Sequence, residues 1–299
     1  MKAGIIGLGN IAQKAYLPIL SSRDDLNLAL FTQDKEKLNY LSNKHNIKET
    51  VKNIDELIKQ KIELAFVHAS TSAHYNIVKK LLKNKIHVYV DKPLSTNIEK
   101  TRYIYKLAEQ NNLYLKVGFN RRYVPFYSEV KTTSGSKLVI MQKNRANNPR
   151  SVRQVIYDDY IHIIDTINWM IGGTLETKVV DYKLKNKKLS KIIVTFKNNT
   201  NTGIGIMNRN NGLAEEKIEV LGENSKKKVD NLKSLKIYKN NKKEIQKSKS
   251  WEPMLKTKGF APIVDEFINS VKHNEYDVEM RELDLQTHEI CEKIIRKIS

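Results

Sequence analysis

The sequence predicts an α/β protein in two parts. Residues 1–120 read as a doubly wound parallel sheet, and residues 121–299 as an α+β domain with a large open, mostly antiparallel sheet. Three observations carry this expectation. Short apolar runs alternate with helical patterns through the first 120 residues, the texture of βαβ units. A glycine-rich turn joins the first run to the first helical pattern. After Asn120, strand-like alternation dominates and helices become few, which favours antiparallel pairing.

The elements follow in order. "AGIIGLG" (3–9) is the first strand, and residues 11–22 form a helix that Pro18 should kink. "LNLALF" (26–31), "ELAFVHA" (63–69), "HVYV" (87–90) and "LYLKVGF" (113–119) are the next strands. Between them lie helices at 35–44, 54–60, 72–84 and 95–112. Ile77, Leu81 and Leu82 mark the inward face of the third, and Ser95 or Thr96 is the expected cap of the last. All strands of a parallel sheet end on the same side, so Gly7, Ala69, Asp91 and Gly118 should share one rim, where such sheets bind ligands. In the second part, strands are expected at 137–143, 191–197, 202–208, 217–222 and 234–239, with helices near 158–171, 260–272 and 282–297. The Lys- and Asn-rich stretch 226–250 reads as edge strands and turns.

Composition bounds the function. The single cysteine, Cys291, excludes an internal disulfide and a multi-cysteine metal site, and fits a reducing, cytoplasmic setting. The lysine-led apolar start is short and broken by glycine, so it reads as a strand and not as an export signal, and no run is long enough to span a membrane. A formal charge of +20 raises the question of nucleic acid. The excess is scattered lysine without interleaved aromatics, so no specific nucleic-acid partner is expected. A positive field of this kind attracts small anionic ligands.

Gly7-Leu8-Gly9-Asn10-Ile11-Ala12 is a G-x-G-x-x-A pattern between a strand and a helix. Gly7 permits the tight turn, Gly9 a close backbone approach to a pyrophosphate, and Ala12 close helix–strand packing, while the free N–H groups at Asn10, Ile11 and beyond face the phosphates. The second strand ends in Thr32 and Gln33, where an NAD site would place a carboxylate. Thr32 and Gln33 can hydrogen-bond a 2′-phosphate, and Lys35 or Lys37 can neutralise it, so NADP(H) is expected over NAD(H). Asp34 comes two residues late and reads as a helix cap.

Three stretches then converge on a known family. "GIIGLGNIA", "VDKPLS" with "VGFNRRYVP", and "DDYIHIIDTINWMIGG" together resemble the Gfo/Idh/MocA oxidoreductases, closest to the MviM-like branch. The resemblance covers essentially the whole chain. It implies a Rossmann domain joined to an α/β domain, and hydride transfer between a nicotinamide and a hydroxyl or carbonyl carbon of a sugar, cyclitol or related polyol. It implies that Lys92 binds the substrate hydroxyl and the nicotinamide ribose, that His162 exchanges the proton, and that Asp158 orients the pair or the substrate. Asp91 stands where the family commonly has Glu, so its carboxylate is expected to hold the lysine or a backbone amide. Ala69, Ser70 and Thr71 are expected along the cofactor, with His74 either there or in packing. No metal is implied.

The chemistry is consistent. Removing a hydroxyl proton asks for a base that titrates near working pH, which histidine does, and a lysine ammonium stabilises negative charge developing on the oxygen. Spacing of four on a helix places Asp158 and His162 on one face, and Asp165 roughly shares it as a structural residue. The family usually carries glycines just before the aspartate and two residues before the histidine. Tyr157 and Tyr160 stand there in this sequence, so bulk is expected to narrow the pocket, change the substrate or displace Asp158. That departure motivates the alternative of a non-catalytic dinucleotide-binding sensor or scaffold. Arg121 and Arg122 are expected either on substrate or paired with carboxylates, and Trp169 in the core. The family's open sheet implies a homodimer or homotetramer.

Overall fold

The computed structural model describes residues 1–248 and 252–298. Trp251, expected at a pocket edge or in packing, lies outside them. The described chain forms two compact units.

The first unit is built on a six-stranded sheet. Its strands are β1 (Lys2–Ile6), β2 (Asn27–Phe31), β3 (Glu49–Thr50), β4 (Leu64–Val67), β5 (His87–Val90) and β6 (Leu115–Val117), in the order β3-β2-β1-β4-β5-β6. Every pairing is parallel. The chain winds one way from β1 and the other way from β4, so the order reverses between these two neighbours, the place where a doubly wound sheet opens a crevice. A π-helical turn (Ala12–Tyr16) leads into α1 (Leu17–Ser21). Pro18, at the start of α1, offers no N–H to the preceding turn, and the wider π turn accommodates the missing bond. Then come α2 (Lys35–Lys44), α3 (Ile54–Lys59), α4 (Thr71–Lys83) and α5 (Ile98–Gln110). Asp34 caps α2 through Lys37 N as expected. The cap of α5 is Asn97, which accepts from Lys100 N, and Ser95 instead accepts from the Asn97 amide. The inward face of α4 is Val78, Leu81 and Leu82, with Ile77 only half-buried.

The second unit opens with a 3₁₀ turn (Asn120–Tyr123) and α6 (Pro125–Lys131), neither foreseen. Its sheet comprises β7 (Leu138–Asn144), β8 (Glu176–Lys185), β9 (Lys188–Lys197), β10 (Thr202–Asn208), β11 (Glu215–Gly222), β12 (Ser225–Asp230), β13 (Ser234–Lys239) and β14 (Lys242–Lys247). The order is β14-β13-β12-β11-β7-β10-β9-β8, antiparallel except for the central β7–β10 pair. Between β7 and β8 a helical run passes through α7 (Val152–Val155), a π turn (Ile156–Tyr160) and α8 (Ile161–Ile171). β8 was not expected: only two of its residues are less than exposed, and "ETKVVDYKLK" has the composition of a solvated edge. The lysines of β12 and β13 are interleaved with carboxylates, Lys226 and Lys228 on Glu219 and Lys236 on Asp230.

After α9 (Met254–Thr257), α10 (Phe260–His273) and the start of α11 (Val278–Ile298) pack with the first unit, although the sequence places residues 121–299 together. α10 presents Phe267 to Tyr114, Tyr89 and Phe66, and Glu266 to Lys116. An amphipathic helix reveals its apolar face from sequence but not the sheet it covers. No described helix is long and apolar enough to cross a membrane. Cys291, the single cysteine of the sequence, is buried.

α8 lies on β10 and β7, and two glycines make that approach possible. A Cβ on Gly205 would stand 2.6 Å from the Tyr160 hydroxyl oxygen, and one on Gly203 would collide with Ile167. The Tyr160 hydroxyl donates to the Gly205 carbonyl at 2.8 Å. The bulk that replaces the family's small residue is therefore taken up by the sheet. Gly205→Ala is expected to lower stability by about 1–3 kcal/mol through overpacking, with part of the loss recovered in Gly205→Ala combined with Tyr160→Phe. Urea unfolding of the single and double variants checks this, and strict additivity would show that the contact does not matter.

Candidate active site

The C-terminal rim of the first sheet holds a cavity of about 320 Å³ lined by Gly7, Leu8, Gly9, Thr32, Gln33, Lys37, His68, Ala69, Ser70 and Ile77, among others. It sits where the strand order reverses. Gly7 has φ of +86°, and a Cβ there would lie 2.5 Å from the Ala69 amide nitrogen, so only glycine fits. Gly9 differs. A Cβ on it would meet nothing closer than the His68 carbonyl at 3.9 Å and would project into open space. This is the opening a phosphate needs, so the residues present fit a dinucleotide. Ala12 is fully buried behind the turn, whereas Asn10 and Ile11 are exposed and do not line the cavity.

Among the described residues, no carboxylate lines the cavity at the end of β2. Asp34 is exposed, accepts from Lys37 N and pairs with Lys37 Nζ at 2.9 Å. Thr32 and Gln33 do line the cavity. Ser70 lines it too, while Thr71 opens α4 without doing so. His74 is held away. Its Nδ1 is 2.9 Å from the Pro93 carbonyl and its Nε2 2.9 Å from the Ala69 carbonyl, so it ties the β4 and β5 exits together. Burial lowers its pKa, although both carbonyls favour the protonated ring. Sequence reasoning allowed it a place on the cofactor; the structure makes it a packing residue.

Beside the cavity lies a buried polar cluster that sequence reasoning missed. Tyr16 stacks on His68 with ring centroids 3.9 Å apart. The Tyr16 hydroxyl meets that of Tyr89 at 2.8 Å and donates to Asp91 Oδ1 at 3.2 Å. His68 Nδ1 stands 3.5 Å from Asp91 Oδ2. Burial first, and then the Asp91 charge, push the Tyr16 phenol well above its usual range. Gly118 leaves room for the cluster, since a Cβ there would lie 2.9 Å from the Tyr89 hydroxyl. Asp91 thus accepts from Tyr16 and stands close to His68, two neighbours that the sequence did not announce. The available signal was a lone histidine in the apolar run "ELAFVHA". Lys92 follows, half-buried, joined to Pro93 by a cis peptide bond at the end of the strand beside β4.

In the second unit Asp158 lies in the π turn and His162 in the first turn of α8. An α-helix turns by about 100° per residue, so a spacing of four overshoots one turn. The wider π turn reduces that overshoot. Asp158 is half-exposed and stands 3.7 Å from an Arg150 nitrogen, while His162 is buried. Asp159, one turn before His162, is held by Arg145 and Arg209. Burial would raise the Asp159 carboxyl, but these two guanidiniums hold it well below the usual range. Asp165, one turn after, forms a fully buried pair with Arg122 and accepts from Thr287. Arg121 grips Glu216 with two bonds of 3.0 and 2.9 Å. Both arginines thus pair with carboxylates. Trp169 is half-buried beneath Lys131, whose Nζ lies 4.4 Å from its ring centroid, and is not a core residue.

Comparison with known proteins agrees with this geometry. Residues 1–119 match the model of an oxidoreductase family with an NAD-binding Rossmann fold, and residues 125–240 match the YceM-like C-terminal domain. The chain is 30% identical over 289 residues to YceM of Salmonella typhimurium, covering 91% of this chain and 90% of that protein. A crystal structure of the dehydrogenase MviM from Clostridium difficile superposes with a TM-score of 0.95 at 34% identity, over 99% of both chains. A myo-inositol 2-dehydrogenase of Thermotoga maritima is 23% identical over 78% of this chain and 76% of its own. The chain belongs to the Gfo/Idh/MocA family of NAD(P)-dependent oxidoreductases.

Proposed function

We propose that the protein interconverts a hydroxyl and a carbonyl on a sugar, cyclitol or related polyol, with Lys92, Asp158 and His162 as its working groups. The observation that carries the reading is the cavity at the reversal of strand order, edged by Gly7 and Gly9, with Lys92 leaving the next strand. Gly7, Gly9, Thr32, Gln33, Lys37, Ala69 and Ser70 would hold the dinucleotide, with Asp91 anchoring the strand end beside them. A bound nicotinamide supplies the acceptor or donor for hydride. The chain's residues handle the rest. The Lys92 ammonium stabilises negative charge on the substrate oxygen. His162 takes or returns the hydroxyl proton, and Asp158 holds its orientation. The relatives are consistent with a polyol, since one is a myo-inositol 2-dehydrogenase.

The test is a screen of neutral and acidic sugars and cyclitols with both cofactors. Lys92→Ala and His162→Asn are expected to lower kcat on the best substrate by about a hundredfold or more. Unchanged turnover in either would refute its role, and no turnover across the screen would refute the substrate class.

The cofactor reading follows from the β2 end. Thr32, Gln33 and Lys37 line the cavity and Asp34 is committed to capping α2, which favours NADP(H) over NAD(H). Lys37→Ala is expected to weaken NADPH binding several-fold and leave NADH unchanged; equal losses for both would contradict the assignment. The second sheet supports a homo-oligomer. Ile140, Ile193, Ile204 and Ile206 lie half-buried on the face opposite α8. Light scattering at micromolar concentration should give a dimer or tetramer mass, and a monomer mass would reject this.

A further inference from the structure

The second unit gathers more positive charge around the His162 helix than its own carboxylates neutralise. Arg121, Lys143, Arg145, Arg150 and Arg209 face Asp158, Asp159 and Glu216. The two buried carboxylates are already crowded. Glu216 takes Arg121, Lys143 at 3.1 Å and the Tyr127 hydroxyl at 3.0 Å. Asp159 takes both Arg145 and Arg209. Arg209 is fully buried, donates to the Asn148 carbonyl and Asp159, and has an Nη2 with no acceptor among the described residues. Lys143 closes the helix-facing side of β7. Burial first, and Arg121 next, pull its pKa down to about 8 although Glu216 opposes them.

The loop after β7 turns this excess outward. Its backbone is fixed to the β10 exit: the Arg145 amide donates to the Asn208 carbonyl, the Asn148 amide to Arg209, and the Asn211 amide to Arg145. From this clamped loop Arg145 and Arg150 reach the turn that carries Asp158 and Asp159, with side chains 35% and 47% exposed. Arg150 Nε donates to Asn148 Oδ1 at 3.0 Å, and its Nη1, at 3.7 Å, is too far from Asp158 for a full hydrogen bond, so the outer edge of the guanidinium still faces outward. Arg145 and Arg150 thus stand at the turn that leads into the helix carrying His162.

We propose that the loop of residues 145–150 is a subsite for an anionic group on the substrate, a carboxylate or phosphate, contacted by Arg145 and Arg150. This deepens the oxidoreductase reading and rests on it. Planar guanidiniums suit both kinds of oxyanion. Lys143 and Arg121 supply field from behind and make no contact with the anion. A substrate bearing such a group would bring the charge that the corner is short of, and a neutral polyol would leave it unbalanced.

The test uses inorganic phosphate as probe, titrated calorimetrically at constant ionic strength into wild type, Arg150→Gln and Arg145→Gln/Arg150→Gln, with circular dichroism to confirm folding. Wild type should saturate, with affinity weakened about tenfold or more in the double variant and by a smaller factor in Arg150→Gln, which leaves the Arg145–Asp159 pair intact. Absence of saturation, or equal affinity in all three, would mean nonspecific association with a basic surface and overturn the proposal. NADPH titrated into the same samples separates the two readings. Cofactor binding without a phosphate effect rejects the subsite alone, and no cofactor binding in any sample rejects the oxidoreductase assignment. Within the substrate screen, acidic sugars should exceed their neutral counterparts in kcat/KM; the reverse order would also overturn the subsite.

Discussion

The close approach of Gly7 to the backbone at Ala69 is the constraint on which the first unit depends. β1 and β4 are neighbours, and the turn after β1 passes so near the β4 exit that a single added carbon would fall 2.5 Å from an amide nitrogen. With that contact made, Gly9 faces open space, His68 sits at the cavity wall, and the next strand delivers Asp91 and Lys92 beside it. His74 then fixes the two exits to each other through the Ala69 and Pro93 carbonyls. The site is a product of backbone geometry before any side chain acts.

Charge is managed differently in the two units. The first buries a cluster with a single carboxylate, in which Tyr16 meets Tyr89 and donates to Asp91 while His68 stands close by. Replacing the family's usual glutamate with this shorter acid suits partners that come up to it from β4 and the first helical run. The second unit buries full charges and pairs them tightly, with Asp159 and Asp165 one turn either side of His162 and each gripped by arginine. Buried pairs of this kind contribute little net stability but fix geometry, because breaking one leaves an uncompensated charge. They hold the helix that presents His162.

Much of this was legible in the sequence. The G-x-G-x-x-A turn, the alternation of strands and helices, and the Asp-Lys-Pro at a strand end are local signals, and local signals survive in a single chain. Asp34 was read as a cap because capping depends on residues three apart. What escaped depends on contacts far along the chain. β8 is an edge strand whose exposed lysines resemble a loop until its partner is known. Tyr160 looked like an obstruction because its compensating partner, Gly205, lies 45 residues away. Tyr16 and Asp91 are 75 residues apart, so neither announces the other. The destination of α10 was hidden for the same reason: its aromatic and acidic residues meet Tyr114 and Lys116 across a long separation.

The rim between β1 and β4 is proposed to be a dinucleotide site in service of oxidoreduction. The most direct measurement is calorimetric titration of cofactor-free protein with NADPH and with NADH. Saturable, one-to-one binding is expected, with NADPH the tighter ligand under the cofactor reading proposed above. Saturation by neither would show that a cavity shaped by Gly7 and open at Gly9 is not sufficient to hold the cofactor, and would contradict the account.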